Sequence, residues 1–212
     1  MKRYAILISG RGSNMVALLD AQLPGVCAGV ISNRPEAGGL ALAAARGVPT
    51  HVVDHRAHAG REAFDAALAH TVRALDVDLV LLAGFMRILT PAFVAPFADR
   101  LLNIHPSLLP AFPGLSTHEQ ALAAGVRVHG CTVHFVTNAL DGGPIAAQAA
   151  VPVRADDTPA TLSARVLLEE HRLYPRVARW CLEGRLRLVD GRVRLDGEQA
   201  REAALHVPDA AA

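Results

Sequence analysis

What is scarce in this 212-residue chain excludes several classes of protein. Cysteine occurs three times, at Cys27, Cys131 and Cys181, far apart and odd in number. With no C-x-x-C pair, neither a zinc knuckle nor a disulfide framework is indicated, and free thiols suit a reducing compartment. Charge of one sign is also lacking. The 21 Lys and Arg nearly cancel the 20 Asp and Glu, and no basic cluster stands out. A nucleic-acid partner is therefore not expected, because phosphate contacts need concentrated positive charge. Long apolar runs are missing too. DLVLLAGFMRIL is too short to span a bilayer and contains Arg87. The amino-terminal MKRYAILISGRG has neither the apolar length nor the cleavage site of a signal peptide. A soluble, cytoplasmic protein without a membrane partner is expected.

What the chain does have is core material, 51% hydrophobic residues, enough for one substantial domain. Short apolar runs alternate with helix-like segments through the first half. Strands are expected at 4–9, 26–32, 50–54, 78–83 and 100–104. Helices are expected after SGRGSN, over the Ala-rich LALAAARG, over 61–75 and, started by proline, over PAFVAPFA. Strands alternating with helices imply crossover units and a mostly parallel sheet covered on both faces. Beyond residue 115 the pattern changes. VHGCTVHFV (128–136) and IAAQAAVPV flank a DGGP turn and read as an antiparallel extension of the sheet. A long helix follows, with Asp157 or Thr158 as cap, Pro159 at its first position, and Pro175 expected to bend or split it. RLRLVDGRVRL reads as a terminal hairpin around Asp190-Gly191. The fold class is thus α/β: a Rossmann-like, mostly parallel sheet flanked by helices, with an antiparallel extension and a long helix in the carboxyl-terminal half. Residues 1–190 form one domain, divided into a phosphate-binding half (1–100) and a catalytic half (101–190). Residues 191–212 form the hairpin's end and a tail expected to fray.

SGRGSN (9–14) closes the first strand and opens a helix. Gly10 and Gly12 let backbone approach an anion, and the free N–H groups of a helix start favour negative charge. A dinucleotide fingerprint would place a third glycine at 15, which is Met15, and an acidic residue at the end of the second strand, where Ser32-Asn33 stand. A single phosphate fits better than NAD.

LLNIHPSLLPAFPGL (101–115) ends a strand with Asn103 and His105, two apart and so on one face, before a loop fixed by Pro106, Pro110 and Pro113. An amide can donate to a carbonyl oxygen as it turns negative, and a histidine can donate and also move a proton, a pairing that suits acyl-type transfer. Asp141 lies in the DGG turn; if that turn folds back, its carboxylate meets the His105 ring. No Ser or Cys stands in a nucleophile elbow, so a covalent acyl-enzyme is not indicated. His51, His55 and His58 read as a solvated segment, and His129 and His134, of opposite parity, as facing apart. No metal is expected.

Taken in order, SGRGSN, LLAGFMRIL, LLNIHPSLLPAFPG, HGCTVHFV and LDGGPI closely resemble the folate-dependent formyltransferases, in the branch that acts on glycinamide ribonucleotide; the likeness runs from about residue 4 to 190. The resemblance implies transfer of the formyl group of 10-formyltetrahydrofolate, a co-substrate, to the amine of N1-(5-phosphoribosyl)glycinamide in purine synthesis. It implies Asn103, His105 and Asp141 as the catalytic trio. Gly12, Ser13 and Asn14, with Leu167, Leu168, Glu169 and Glu170, would hold the phosphorylated substrate. Arg61, Met86, Arg87, Ile88, Leu89 and Asn103, with Thr137, Asn138, Ala139, Leu140 and Asp141, would contact the folate. Read without the resemblance, Arg87 is equally a ligand or a strand end reaching solvent, Glu169 and Glu170 are a solvated helix face, and Arg61 is a first-turn charge. Ser116 stands where members commonly carry His, and Ala111 where Lys is frequent. The partners implied are small molecules, for a monomer or homodimer. Rival readings are a 10-formyltetrahydrofolate hydrolase and a non-catalytic folate-binding module. A tRNA formyltransferase would need an RNA-binding domain and a basic surface.

Overall fold

The structure, a computed structural model, describes residues 1–199 and 207–208. Most of the tail expected to fray lies outside the described residues. Five parallel strands form the first part of a seven-stranded sheet: β1 (Arg3–Ile8), β2 (Val26–Ser32), β3 (Thr50–Val52), β4 (Leu79–Leu82) and β5 (Leu101–His105). β6 (Val128–Phe135) pairs antiparallel with β5, and β7 (Ile145–Pro152) antiparallel with β6. The spatial order is β3-β2-β1-β4-β5-β6-β7, so chain direction of travel across the sheet reverses between β1 and β4. Such a switch point opens a crevice at the carboxyl ends of the strands.

Strand parity sorts the core into two layers. Tyr4, Ile6, Ile8, Leu79, Leu81, Leu102 and Ile104 face α1 (Ser13–Asp20), α2 (Gly38–Ala44) and the long helix at the carboxyl end. Ala5, Leu7, Val80, Leu82 and Leu101 face α3 (Arg61–Ala74) and α4 (Pro91–Val94). Burial on both sides explains why these strands read as continuous apolar runs. A short α5 (Thr117–Ala123) precedes β6.

The long helix, α6 (Pro159–Leu182), is capped by Thr158, whose side chain and that of Thr161 reciprocate in a capping box; Pro159 occupies the first turn. Asp157 instead takes a two-pronged contact from Arg165 at 2.7 Å. Of the two outcomes expected at Pro175, a bend or a split, the split does not occur: α6 is one element of 24 residues. A proline here removes one backbone hydrogen bond, yet the buried face formed by Leu162, Val166, Leu173, Tyr174 and Val177 holds both halves against the sheet. After α6, β8 (Leu186–Val189) and β9 (Arg192–Leu195) form the expected hairpin, with Asp190 at φ 50° and Gly191 at φ 72°. Its two strands lie on either side of residue 190, and Leu186 joins the core.

Candidate active site

A cleft of about 650 Å³ opens at the carboxyl end of β4 and β5. Its floor holds Asn103 and His105, its rim Met86, Ile88, Leu115 and Leu140, all four exposed apolar side chains. The sequence-expected Met86, Arg87, Ile88 and Leu89 line it, as do Thr137, Asn138, Ala139, Leu140 and Asp141. Arg61 does not: it is exposed at the first residue of α3. Arg87 stacks over Phe64, 5.9 Å from the ring centroid.

The DGG turn does fold back. Asp141, at φ 49°, brings Oδ2 to 3.6 Å from His105 Nδ1, and the same oxygen accepts from Gly114 N–H at 2.8 Å. The other ring nitrogen, His105 Nε2, lies 3.1 Å from Phe112 O. A carbonyl oxygen can only accept, so Nε2 carries the proton of that bond; the Asp141 carboxylate, 3.6 Å from Nδ1, is too far for a hydrogen bond and does not take up that nitrogen.

His134 completes the constellation and was not foreseen, since sequence reasoning weighed it only as a metal ligand. Antiparallel register sets it directly across from Asn103. Its Nδ1 donates to Phe135 O at 3.0 Å, and burial holds its pKa below the usual histidine value. The neutral ring therefore offers the Nε2 lone pair to Asn103 Nδ2, 3.2 Å away, which fixes the amide's orientation and leaves its second N–H unengaged. Asp141 Oδ1 stands 3.9 Å from the same Nε2. The only signal in the sequence was parity, which places Thr132 and His134 on one face of β6.

The proline loop is fastened from below. Thr132 Oγ1 donates to Ser107 O at 2.7 Å and accepts from Leu109 N–H at 3.0 Å; Gln148 Nε2 reaches Thr132 Oγ1 at 2.9 Å and Leu109 O at 2.8 Å. His118, also unforeseen, lines the cleft and contacts buried His129 through Nδ1 and Nε2, 3.2 Å apart.

Beside this cleft lies the glycine loop. Gly12 caps α1 in the left-handed region at φ 79°, with no side-chain cap, so the helix start presents unpartnered N–H groups. A Cβ on Gly12 would come within 2.9 Å of Gly39 Cα, and one on Gly39 within 2.6 Å of Ile8 Cδ1; the close approach of α2 to the loop requires both glycines. Ser13 is exposed at the helix mouth, while Asn14 is buried and donates to Glu170 Oε2 at 2.6 Å. Burial raises the Glu170 pKa, and the Asn14 amide opposes that shift. Of the α6 residues expected at the substrate, only Glu170 meets the loop in this way. Glu169 pairs with Arg172 at 2.7 Å, Leu168 is exposed and Leu167 half-buried.

Comparison with known proteins agrees with this geometry. A model of the formyl transferase family matches residues 2–178. A phosphoribosylglycinamide formyltransferase of Escherichia coli is 49% identical over 198 residues, covering 92% of this chain and 93% of the relative. The Haemophilus influenzae enzyme of the same name is 44% identical, covering 93% and 95%. Among solved structures, a glycinamide ribonucleotide transformylase from Symbiobacterium toebii superposes with a TM-score of 0.90 at 52% identity, covering 92% and 94% of the two chains.

Proposed function

The chain belongs to the formyl transferase family, and from that premise we propose that it transfers the formyl group of 10-formyltetrahydrofolate to the amine of N1-(5-phosphoribosyl)glycinamide. The products are formylglycinamide ribonucleotide and tetrahydrofolate, a step of purine synthesis. The observation that carries the reading is the meeting of Asn103, His105 and Asp141 in one cleft, beside a helix start suited to a phosphate. The folate's pterin and formyl-bearing nitrogen occupy the cleft, between the 86–89 and 137–141 segments. The phosphate of the acceptor rests on Gly12, Ser13 and Asn14, with Glu170 behind. Free thiols and small soluble substrates fit a cytoplasmic setting.

The acceptor amine attacks the formyl carbon, and the carbonyl becomes an alkoxide in a tetrahedral intermediate. The free amide N–H of Asn103 and the His105 ring donate to that oxygen as it gains charge. Asp141 holds the ring in place and balances its charge. Collapse breaks the bond to the folate nitrogen, which takes the proton lost by the amine, directly or through water. Holding both substrates in adjoining clefts replaces a bimolecular encounter with an oriented one. A hydrolase could share the trio with water as nucleophile, but has little use for the anion-binding helix start. The test supplies 10-formyltetrahydrofolate with and without glycinamide ribonucleotide and follows deformylated folate. Turnover that depends on the amine is expected; equal turnover in its absence would make the protein a hydrolase, and binding with no turnover a carrier.

A further inference from the structure

At the switch point one buried hydroxyl stands between the cleft and the glycine loop. Ser9, the residue after β1, is 5% exposed. Its Oγ donates to Asn33 Oδ1 at 2.6 Å and accepts from Met86 N–H at 2.8 Å. Asn33, 1% exposed, is itself held through its main-chain oxygen, 2.8 Å from His55 Nδ1. Ser9 N–H meanwhile donates to Gly84 O at 3.2 Å. The carboxyl ends of β2, β1 and β4 are thus tied by one serine. A hydroxyl has a single proton; with that proton given to Asn33, its lone pair is aimed at Met86.

From this geometry we infer that Ser9 is a positioning residue for the formyl donor. It acts through the Met86 backbone to set the 84–89 segment that forms one wall of the donor cleft. Phe85 and Leu89 anchor the segment in the core, but the residues between and beside them that face the cleft are not packed there. Gly84 turns the chain at φ 71°, and Met86 and Ile88 point outward at 62% and 55% exposure, so they gain little from core packing. The acceptor loop does not depend on this hydroxyl: Gly10 O accepts from Gly39 N–H at 3.0 Å, and Asn14 is tied to Glu170. Loss of the Ser9 hydroxyl should therefore weaken the donor side selectively, although the residue sits at the start of the acceptor loop.

The inference rests on the proposed function for its kinetic part only. Ser9→Ala, Ser9→Thr and Asn33→Ala are compared with wild type by steady-state kinetics, by hydrogen exchange of the Met86 amide without ligands, and by urea unfolding. In Ser9→Ala, the KM for 10-formyltetrahydrofolate is expected to rise about tenfold, the change in binding that one lost hydrogen bond of about 1.4 kcal/mol produces. Acceptor KM and kcat stay within about threefold, and Met86 exchange accelerates by a similar factor of about ten. Ser9→Thr restores both, and Asn33→Ala moves both in the same direction by a smaller factor. Equal rises in the two KM values, a fall in kcat alone, failure of threonine to rescue, or unaltered Met86 exchange would each overturn the assignment. If wild type shows no amine-dependent turnover, the proposed function fails; the exchange measurement then decides the tether by itself.

Discussion

Asn103 has one amide N–H engaged by His134 and a second left for substrate. Asn103→Ala should therefore lower kcat by about 10²–10³ while donor KM moves little, since the missing bond forms fully only on the oxyanion. Single-turnover rates with saturating substrates check this. Glu170 offers a different signature. Its carboxyl is buried and its pKa raised, so the folded state bears the cost of a desolvated charge whenever the group is ionised. An acid with a raised folded pKa contributes stability below that pKa and loses it as pH rises through it. Glu170→Gln keeps an acceptor for Asn14 without the charge. Its urea midpoint should match or exceed wild type at pH 8, while acceptor KM rises about tenfold as the Asn14–Glu170 hydrogen bond behind the loop loses its charge. The pairing of Asn103 with His105 was legible in the sequence because strand parity is strict. His134 was not, because a residue's partner across an antiparallel ladder depends on register, and register is set by the loop lengths between β5 and β6 rather than by either strand alone.

Elements hold these residues by a few buried polar ties. Thr132 Oγ1 serves Ser107, Leu109 and Gln148 together. Thr132→Val preserves shape and removes all three bonds, so a loss of about 1–3 kcal/mol in unfolding free energy is expected. At the glycine loop, a methyl on Gly39 meets Ile8 and presses on the Gly10 and Gly12 backbone at 3.2 Å. Gly39→Ala should cost about 1–3 kcal/mol from overpacking and raise acceptor KM more than donor KM. Beneath the proline loop, burial first and His118 second push the His129 pKa down to about 4 from 6.5. Between those values the unfolded chain binds the proton and the folded chain does not. Stability is therefore complete above about pH 6.5 and declines as pH falls toward 4. Urea midpoints at pH 7.5 and 5 should differ less in His129→Phe than in wild type. Strand spans followed from apolar patterning to within a residue or two, whereas α1, α2 and α4 end three or four residues before the apolar segments do and the short α5 left no readable period. Whether Pro175 would split α6 was not legible, because a local rule about proline competes with the packed face of a 24-residue helix, and periodicity cannot weigh one against the other.

Across the whole molecule, the cleft draws on segments 84–89, 103–106 and 134–141, and the glycine loop at 12–14 with Glu170 lies beside it. The sheet order β3-β2-β1-β4-β5 makes this possible by placing the ends of β1 and β4 side by side. Alternation of strands and helices predicted the class of sheet, though not where its order reverses, which depends on which strands pair. The longest reach is made by α6, whose Tyr174 hydroxyl shares its one proton between Leu82 O at 3.0 Å and Leu102 O at 3.1 Å. Those carbonyls lie at the fork where β4 and β5 part to admit the cleft, one residue before Asn103. During synthesis on the ribosome, every strand of the sheet is made before the side chain that closes this fork. A nascent chain thus lacks this tie at the throat of its future site until the last fifth of the sequence emerges, and an amino-terminal fragment that stops before Tyr174 leaves the fork without it.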